Sequence, residues 1–197
     1  MKTIKSIQIL VLFLITGISI AQKNEKLKDS QPFQKSLKFN EVVDSKQAII
    51  EFSKQFNLGK SNSFEEKYVN IDNNGVKHVR HQQFYKGLKV EFGTMIVHSL
   101  NNDVQSINGE LYNSENLNLS PTLTKSQGLA LAITSINATK FLWDNFEEAL
   151  AMDYKKPVGD LLIFPLVKKG EVRLAYRYDI YSTEPIARIE VYVDANS

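Results

Sequence analysis

The chain has 197 residues, with 24 lysine and arginine residues, 22 aspartate and glutamate residues, and no cysteine. This length suits one ordinary domain or two small ones, and the near-neutral charge gives no reason to expect binding to nucleic acid or to an anionic membrane. Without cysteine the chain has no disulfide bonds and no thiol chemistry.

The first 21 residues have the three parts of a secretory signal peptide. Lys2 and Lys5 supply the positive charge, residues 7–15 form the apolar run, and Ala21 is the small residue before a cleavage site. The apolar run is shorter than the roughly 20 residues of a membrane-spanning helix. We predict cleavage between Ala21 and Gln22, export to the periplasm or the extracellular space, and no membrane contact afterwards. Loss of the two lysines leaves 22 basic and 22 acidic residues.

Residues 22–43 are lysine-rich, polar and without periodicity, which is typical of a mobile leader. A helix is predicted next, with Asp44 or Ser45 as its N-terminal cap and Gly59 as its left-handed C-terminal cap. The apolar residues on its buried face, spaced i, i+3 and i+7, are Ile49, Phe52 and Phe56.

Four runs of β type follow, at residues 64–71, 77–85, 88–100 and 104–112. The short segments between them are rich in asparagine, aspartate and glycine, which tolerate positive φ. These separators are typical of hairpin turns, so the four runs predict an antiparallel meander.

A second helix and three further strands are predicted after Ser120. Thr124 can cap the helix, and its apolar face consists of Leu129, Ala132, Ile133 and Ile136. The strands are predicted at 160–167, 171–181 and 187–195, and Pro165, which has no N–H to donate, predicts an edge or a bulge in the first of them. Alternation in the second strand predicts a buried face of Val172, Leu174, Tyr176, Tyr178 and Ile180.

The order helix, meander, helix, meander predicts an α+β protein built from two small modules, each a helix packed on an antiparallel β-meander. We assign residues 44–118 to the first module and residues 119–197 to the second. Residues 137–158, between the second helix and its strands, show no clean period.

All three histidines, His78, His81 and His98, fall in the second and third strand runs. If the turn between those runs continues into a regular hairpin, His78 faces Met95 and His98 faces Gly75. His78 and His81 then point to opposite sides of the sheet, while His81 and His98 share a side but lie about 20 Å apart along the strand. Three imidazoles so placed cannot converge on one ion at about 2 Å.

We therefore predict no metal ligand among the histidines. The side that His81 shares with Val79, Val90 and Phe92 is the predicted core side of the hairpin. His81 is then a histidine at the margin of the core with its hydrogen bonds satisfied, and the other two lie at the surface or at strand ends.

No other pattern predicts a catalytic site. H-E-x-x-H, G-x-S-x-G and glycine-rich phosphate loops are absent from the sequence. The turn at residues 72–75 lacks the glycine and glutamate positions of a calcium loop. The pairs Glu65-Glu66 and Glu147-Glu148 are adjacent carboxylates that diverge on a strand or helix, so solvated faces explain them better than an acid–base dyad. We predict no catalytic residue and no cofactor.

The hairpin of residues 78–112 resembles the fungalysin/thermolysin propeptide module. In that module one strand ends in an aromatic-x-Gly turn, the next carries apolar-x-x-Gly, and a third carries a glycine. The helix after them, at residues 119–132, resembles the proline- and alanine-rich helix that follows in the family. The positions that match are Tyr85, Gly87, Val90, Gly93, Gly109 and Pro121.

Residues 160–195 resemble the PepSY-type half of the same pro-regions. The most specific pieces are LAYRYDI, from residue 174 to 180, and YVDA, from residue 192 to 195. The resemblance covers nearly all of the chain after residue 44, with the two modules in the family order and a shape that is cystatin-like in general. Its motif positions here are Leu174, Ala175, Tyr176, Tyr192, Val193 and Asp194.

The resemblance implies the pro-region of a secreted, bacterial zinc metallopeptidase of the thermolysin class. Such a pro-region assists the folding of the peptidase domain joined to it in cis and inhibits that domain until processing. Zinc belongs to the peptidase domain, which we expect to be absent from this chain. We expect the PepSY-like half to supply most of the contact, through the face with Arg173, Arg177 and Tyr181 or through the edge at Pro165.

Two other readings stay open at this stage. The chain can be a stand-alone secreted peptidase inhibitor or protein-binding module, in which case no H-E-x-x-H follows Ser197 in the reading frame. A hydrolase in its own right would require activity in the purified chain, which we expect to be absent.

Overall fold

The computed structural model describes residues 34–166 and 170–197. The predicted signal peptide, its cleavage site and the leader before residue 34 lie outside the described residues. In the described ranges no helix is long and apolar enough to cross a membrane. The fold is mixed α/β, mostly a sheet curled into a half-barrel with few helices.

Nine strands and three α-helices are formed within the described residues. The strands are β1 (Gln34–Lys38), β2 (Asn62–Ile71), β3 (Lys77–Tyr85), β4 (Leu88–Leu100), β5 (Asp103–Glu110), β6 (Lys140–Phe141), β7 (Asp160–Leu166), β8 (Glu171–Glu184) and β9 (Ile186–Asp194). The helices are α1 (Ser45–Lys54), α2 (Lys125–Thr134) and α3 (Phe146–Ala151), and a 3₁₀ turn spans Leu142–Asp144.

The predicted four-strand meander is present as β2, β3, β4 and β5, each antiparallel to the next. Strand β1, which lies in the stretch predicted as leader, pairs antiparallel with β5. Helix α1 packs against this sheet through Ala48 and Phe52, both fully buried. The partners of this helix in the core include Met95, Val97 and Ile107.

The strands predicted near the C-terminus form a second antiparallel group, in which β8 pairs with β7, β9 and the short β6. Helix α2 covers one side of it. The buried side chains of β8 under the helix are Leu174, Tyr176, Tyr178 and Ile180. This confirms the predicted buried face of the strand at those four positions, whereas Val172 packs only partly buried in a separate cluster.

Strand β4 joins the two groups into one continuous sheet. Its first residues pair in parallel with β7, at Val90 and Ile163, while the rest of the strand pairs with β3 and β5. Tyr85 and Tyr112 pack with this pair of residues in a buried cluster at the junction. Strand β7 therefore lies between β4 and β8. Pro165 pairs with Val172 of β8 without a register shift, so the predicted bulge is wrong. In the described residues β4 pairs with β7 at Ile163 and not at Pro165.

The predicted caps of the two long helices are largely confirmed. Asp44 accepts a 2.8 Å hydrogen bond from the backbone N–H of Gln47 at the start of α1. Thr124 and Gln127 form a reciprocal capping box at the start of α2. The predicted C-terminal cap at Gly59 is wrong, because α1 ends earlier and Asn57 is the residue with the left-handed φ of 53°.

The predicted register of the β3–β4 hairpin is right at the turn and wrong beyond it. Tyr85 faces Leu88 across the turn, but four residues of β4, from Val90 to Gly93, lie opposite Gln83 alone. The amide of Gln82 holds this bulge by donating hydrogen bonds to the carbonyls of Val90 (2.6 Å) and Gly93 (2.9 Å). The bulge shifts every later pair by three residues.

The shift changes the partners of all three histidines. His78 faces His98 rather than Met95, and His81 faces Met95. His81 is buried, as predicted, but among the described residues its Nδ1 lacks the predicted hydrogen-bond partner, and it does not share a side with His98. The prediction that Phe92 lies in the core is also wrong, because its φ of 60° turns it outward and leaves it 51% exposed.

Candidate functional site

The sheet of β7, β8 and β9 has an outer face, which we define as its side turned away from α2. The candidate residues Arg173, Arg177 and Tyr181 all lie on this outer face, at alternating positions of β8. Their side chains alternate with those that pack under α2. One strand therefore supplies both the core of this half and the residues predicted to contact a protease.

Arg177 is held at the centre of the outer face by carboxylates from both neighbouring strands. Its Nη2 donates a 2.8 Å hydrogen bond to Asp160 on β7, and its Nη1 donates a 3.3 Å bond to Glu190 on β9. The hydrogen bond that Arg177 donates to Asp160 is the main reason that the pKa of Arg177 is raised, with a smaller contribution from Glu91 on β4. The guanidinium is fixed in direction and stays partly exposed.

Arg173 lies nearer to the end of the hairpin and is less restrained. It donates a 2.9 Å hydrogen bond to Glu171, two residues away on the same strand. A longer contact of 3.8 Å reaches the carboxylate of Asp194 at the end of β9. Its side chain is half exposed, so Arg173 can turn toward a partner at little cost.

Tyr181 belongs to a cluster at the opposite end of the outer face. Its ring packs edge-on against Tyr154, and the guanidinium of Arg188 lies over both rings, 5.8 and 5.9 Å from their centroids. The Tyr154 hydroxyl donates to the carbonyl of Asp179 and accepts from the N–H of Tyr181. Paired hydrogen bonds from Arg188 lower the pKa of the Asp179 carboxyl.

An aromatic strip extends the outer face toward β4. Phe92, exposed by the bulge, packs edge-on against Phe164, with ring centroids 5.7 Å apart. The ring centroids of Phe164 and Tyr192 are 4.5 Å apart. Sequence reasoning missed Phe92 as a surface residue because an aromatic in a strand run predicts burial. The glycine directly after it was the available signal, since glycine within a strand often marks a bulge.

The motif positions in the first half have structural roles. Tyr85 is fully buried and donates a 3.1 Å hydrogen bond from its hydroxyl to the carbonyl of Glu115. Gly87 forms the hairpin turn with Lys86, both at positive φ. Val90 is buried at the junction, and Gly109 lies opposite Met95.

Hydrogen bonds near the motif positions of the second half connect the residue after β9 to the loop before α2. Pro121 is exposed in that loop, where Thr122 and Leu123 both donate backbone hydrogen bonds to the carbonyl of Ala195. The alanine itself donates to Leu174 on β8. The remaining positions, which lie on β8 and β9 with Tyr192 and Asp194 on the outer face, are Ala175, Tyr176, Tyr192, Val193 and Asp194.

Among the residues that the structure describes, no group of three or more histidine, cysteine, aspartate or glutamate side chains could hold a metal ion. The outer face combines arginine side chains, carboxylates and an aromatic strip. Arginine and aromatic side chains are enriched at protein interfaces.

The match to a known family falls on the meander. Residues 62–111 match the Fungalysin/Thermolysin Propeptide Motif. The matched stretch begins with the first residue of β2 and ends just after β5. It confirms the resemblance drawn for residues 78–112 and supports a pro-region of a thermolysin-type peptidase.

The Fungalysin/Thermolysin Propeptide Motif is a propeptide motif and not a catalytic one, which agrees with a non-enzymatic pro-region. The match does not reach β7, β8 and β9, so the PepSY-like nature of that half stays a prediction. No curated protein matches the chain.

Proposed function

We propose that the chain is the pro-region of a secreted thermolysin-class metallopeptidase, and that it assists the folding of the peptidase domain in cis and inhibits it before processing. The observation that carries this proposal is the match of residues 62–111 to the Fungalysin/Thermolysin Propeptide Motif. In this proposal residues 119–197 form the PepSY-like module, and the zinc ion belongs to the peptidase domain.

The outer face of β7, β8 and β9 is the contact surface in this proposal. It offers the guanidinium group of Arg177, whose direction is set by neighbouring carboxylates, and the half-exposed guanidinium group of Arg173. It also offers the aromatic strip of Phe92, Phe164 and Tyr192 beside them. Aromatic and arginine side chains dominate the energetics of many protein interfaces.

Strand β9 adds a second means of contact. It pairs with β8 on one side, and in the described part of the chain no strand pairs with its other side. Its exposed residues include Ile186 and Ile189. An edge of this kind can accept an extended segment of a partner by main-chain hydrogen bonding.

The physical mechanism needs surface and proximity rather than catalytic groups. A partner that binds the folding transition state of the peptidase lowers the barrier to its folding. The same partner bound to the native peptidase stabilises it and covers its cleft. Attachment in one chain raises the effective concentration to about the millimolar range, so modest contacts suffice.

The test is refolding of the thermolysin-type peptidase domain encoded in the same reading frame, with and without residues 22–197 added in trans. We expect a higher yield of active peptidase and inhibition of the refolded enzyme. The double variant Arg173→Ala/Arg177→Ala should weaken inhibition at least about tenfold, equivalent to about 1.4 kcal/mol.

The matched control is Lys46→Ala/Lys54→Ala, which removes two positive charges from α1, away from the outer face. It should inhibit as the parent protein does. No gain in active yield together with no inhibition would refute the proposal. Inhibition without any gain in yield would keep the inhibitory role and remove the folding role.

A further inference from the structure

His78 and His98 face each other across strands β3 and β4. Their Nδ1 atoms are 2.6 Å apart, and the two rings are nearly perpendicular, with centroids separated by 4.9 Å. The bulge in β4 creates this pair, because a regular hairpin would separate the two residues. The pair lies on the side of the sheet away from α1 and is half-buried.

The two outer ring nitrogens each meet an acceptor. Nε2 of His78 is 3.3 Å from Oδ2 of Asp72, and Nε2 of His98 is 2.5 Å from Oδ1 of Asn108. A carboxylate and an amide oxygen can only accept. With the Asn108 amide in this orientation, both contacts are hydrogen bonds when each Nε2 carries hydrogen.

This fixes the chemistry of the inner nitrogens. A neutral imidazole has one N–H and one bare nitrogen, so with hydrogen on each Nε2 the two bare Nδ1 atoms point at each other. Two lone pairs at 2.6 Å repel unless a cation lies between them. The cation is either a shared proton or a metal ion.

We propose that His78 and His98 bind one first-row transition-metal ion, such as Zn²⁺ or Cu²⁺, through their Nδ1 atoms. Imidazole is a preferred ligand of these ions. At a metal–nitrogen distance of about 2.0 Å, two ligand nitrogens are about 2.8 Å apart in a square-planar site and about 3.3 Å apart in a tetrahedral one. Binding therefore requires the two rings to rotate until their Nδ1 atoms lie about 0.2 to 0.7 Å farther apart than the 2.6 Å of the structure. Water supplies the remaining ligands, because the His78 side chain is 29% exposed.

Asp72 and Asn108 hold the two rings from behind. Metal-binding histidines commonly donate their second N–H to a carboxylate or carbonyl oxygen, which sets the tautomer and raises the basicity of the ligand. Asp72 is itself fixed, because its Oδ1 accepts hydrogen bonds from the backbone of Asn74 and Val76, both at 2.9 Å. The site therefore has two ligands and two positioning residues.

The experiment uses a protein of residues 22–197 that carries no affinity tag and has been stripped of metal. Isothermal titration calorimetry measures its binding of Zn²⁺. We expect one ion per chain. His78→Gln and His98→Gln should each weaken binding at least about tenfold, because either change leaves a single ligand. Asp72→Asn, which keeps Oδ1 for the turn, should weaken binding by about tenfold.

The matched control is His81→Gln, which removes the third histidine of the chain from the opposite side of β3 and should bind zinc as the parent does. With Cu²⁺ in place of zinc, electron paramagnetic resonance should show two nitrogen ligands in the parent and fewer in the two ligand variants. Circular dichroism verifies that each variant is folded. Absence of zinc binding in the parent, or parent-like affinity in folded His78→Gln or His98→Gln, would overturn the proposal.

Discussion

The hydroxyl of Tyr178 donates a 2.7 Å hydrogen bond to the backbone carbonyl of Lys125, in the first turn of α2. Tyr178 is fully buried, and its burial raises the pKa of the phenol to about 12. We expect Tyr178→Phe to lower the free energy of unfolding by about 1–2 kcal/mol, since one buried hydrogen bond is lost. Urea denaturation measures this loss. The exposed Tyr68→Phe is the control and should leave the midpoint unchanged.

Gly128 lets α2 approach β8. A Cβ at this position would overlap the hydroxyl of Tyr178 and lie 3.1 Å from the ring of Tyr176. We expect Gly128→Ala to destabilise the protein by about 1–2 kcal/mol, because overpacking outweighs the better helix propensity of alanine. Ser126→Ala, at an exposed position of α2, should cause no loss. A Gly128→Ala protein more stable than the parent would contradict the packing described here.

Gly109 lies where β5 is closest to β4. A Cβ there would overlap the carbonyl oxygen of Thr94 and the Cα of Met95, both of which are backbone atoms. We expect Gly109→Ala to lower the free energy of unfolding by at least about 3 kcal/mol, since a paired strand cannot move aside. Urea midpoints, together with the soluble yield, measure the effect. Ser106→Ala on the same strand should change the midpoint little.

Gln82 stabilises the bulge of β4 as a donor. Its amide nitrogen faces carbonyl oxygens of Val90 and Gly93. We expect Gln82→Glu to destabilise the protein by about 3 kcal/mol or more at neutral pH, because a buried carboxylate cannot donate and would face those oxygens. The loss should shrink in acid, where the new carboxyl is protonated. Gln34→Glu, at an exposed position, should have an effect within about 0.5 kcal/mol.

His81 makes stability depend on pH. Its side chain is buried and, within the described ranges, its Nδ1 has no hydrogen-bond partner. Burial lowers the pKa of His81 below its ordinary value of 6.5, and Glu66 opposes that shift only in part. The unfolded chain therefore takes up the proton more readily. The contribution of the neutral His81 imidazole to the free energy of unfolding is fully present above pH 6.5. It is lost as the pH falls from 6.5 through the lowered pKa.

The measurement compares urea midpoints from about pH 7 to about pH 5 in metal-free buffer, across the range in which histidines titrate. His81→Gln should show a weaker fall in stability than the parent. Glu66→Gln should show a steeper one, because the favourable charge beside the imidazolium is gone. Identical profiles for the parent and His81→Gln would contradict the prediction.

Much of the local structure could be predicted from residue patterns. Helix caps at Asp44 and Thr124 depend on neighbours within three residues, and the buried face of β8 follows from strict alternation. The turn at Lys86 and Gly87 is likewise a two-residue signal. Interactions between residues this close in the chain can be predicted from the local sequence pattern.

The bulge of β4 could not be predicted in the same way. A phenylalanine at positive φ is unfavourable by itself and persists only because the surrounding structure holds it. Here the amide of Gln82 binds the carbonyls on both sides of Phe92. This one bulge changes the cross-strand partners of all three histidines and exposes the ring of Phe92. The predicted pairing of the hairpin is therefore wrong beyond its turn. The parallel contact of Val90 with Ile163 is equally non-local.

The sharing of β4 between both strand groups bears on how the chain can be divided. A fragment that stops at residue 118 would keep β4 but lose the strand that pairs with it at Val90. Its main-chain groups there would become an open template for intermolecular pairing. We therefore expect fragments without β7 to self-associate through that end of β4. When β7 is present, it pairs with β4 and covers these main-chain groups.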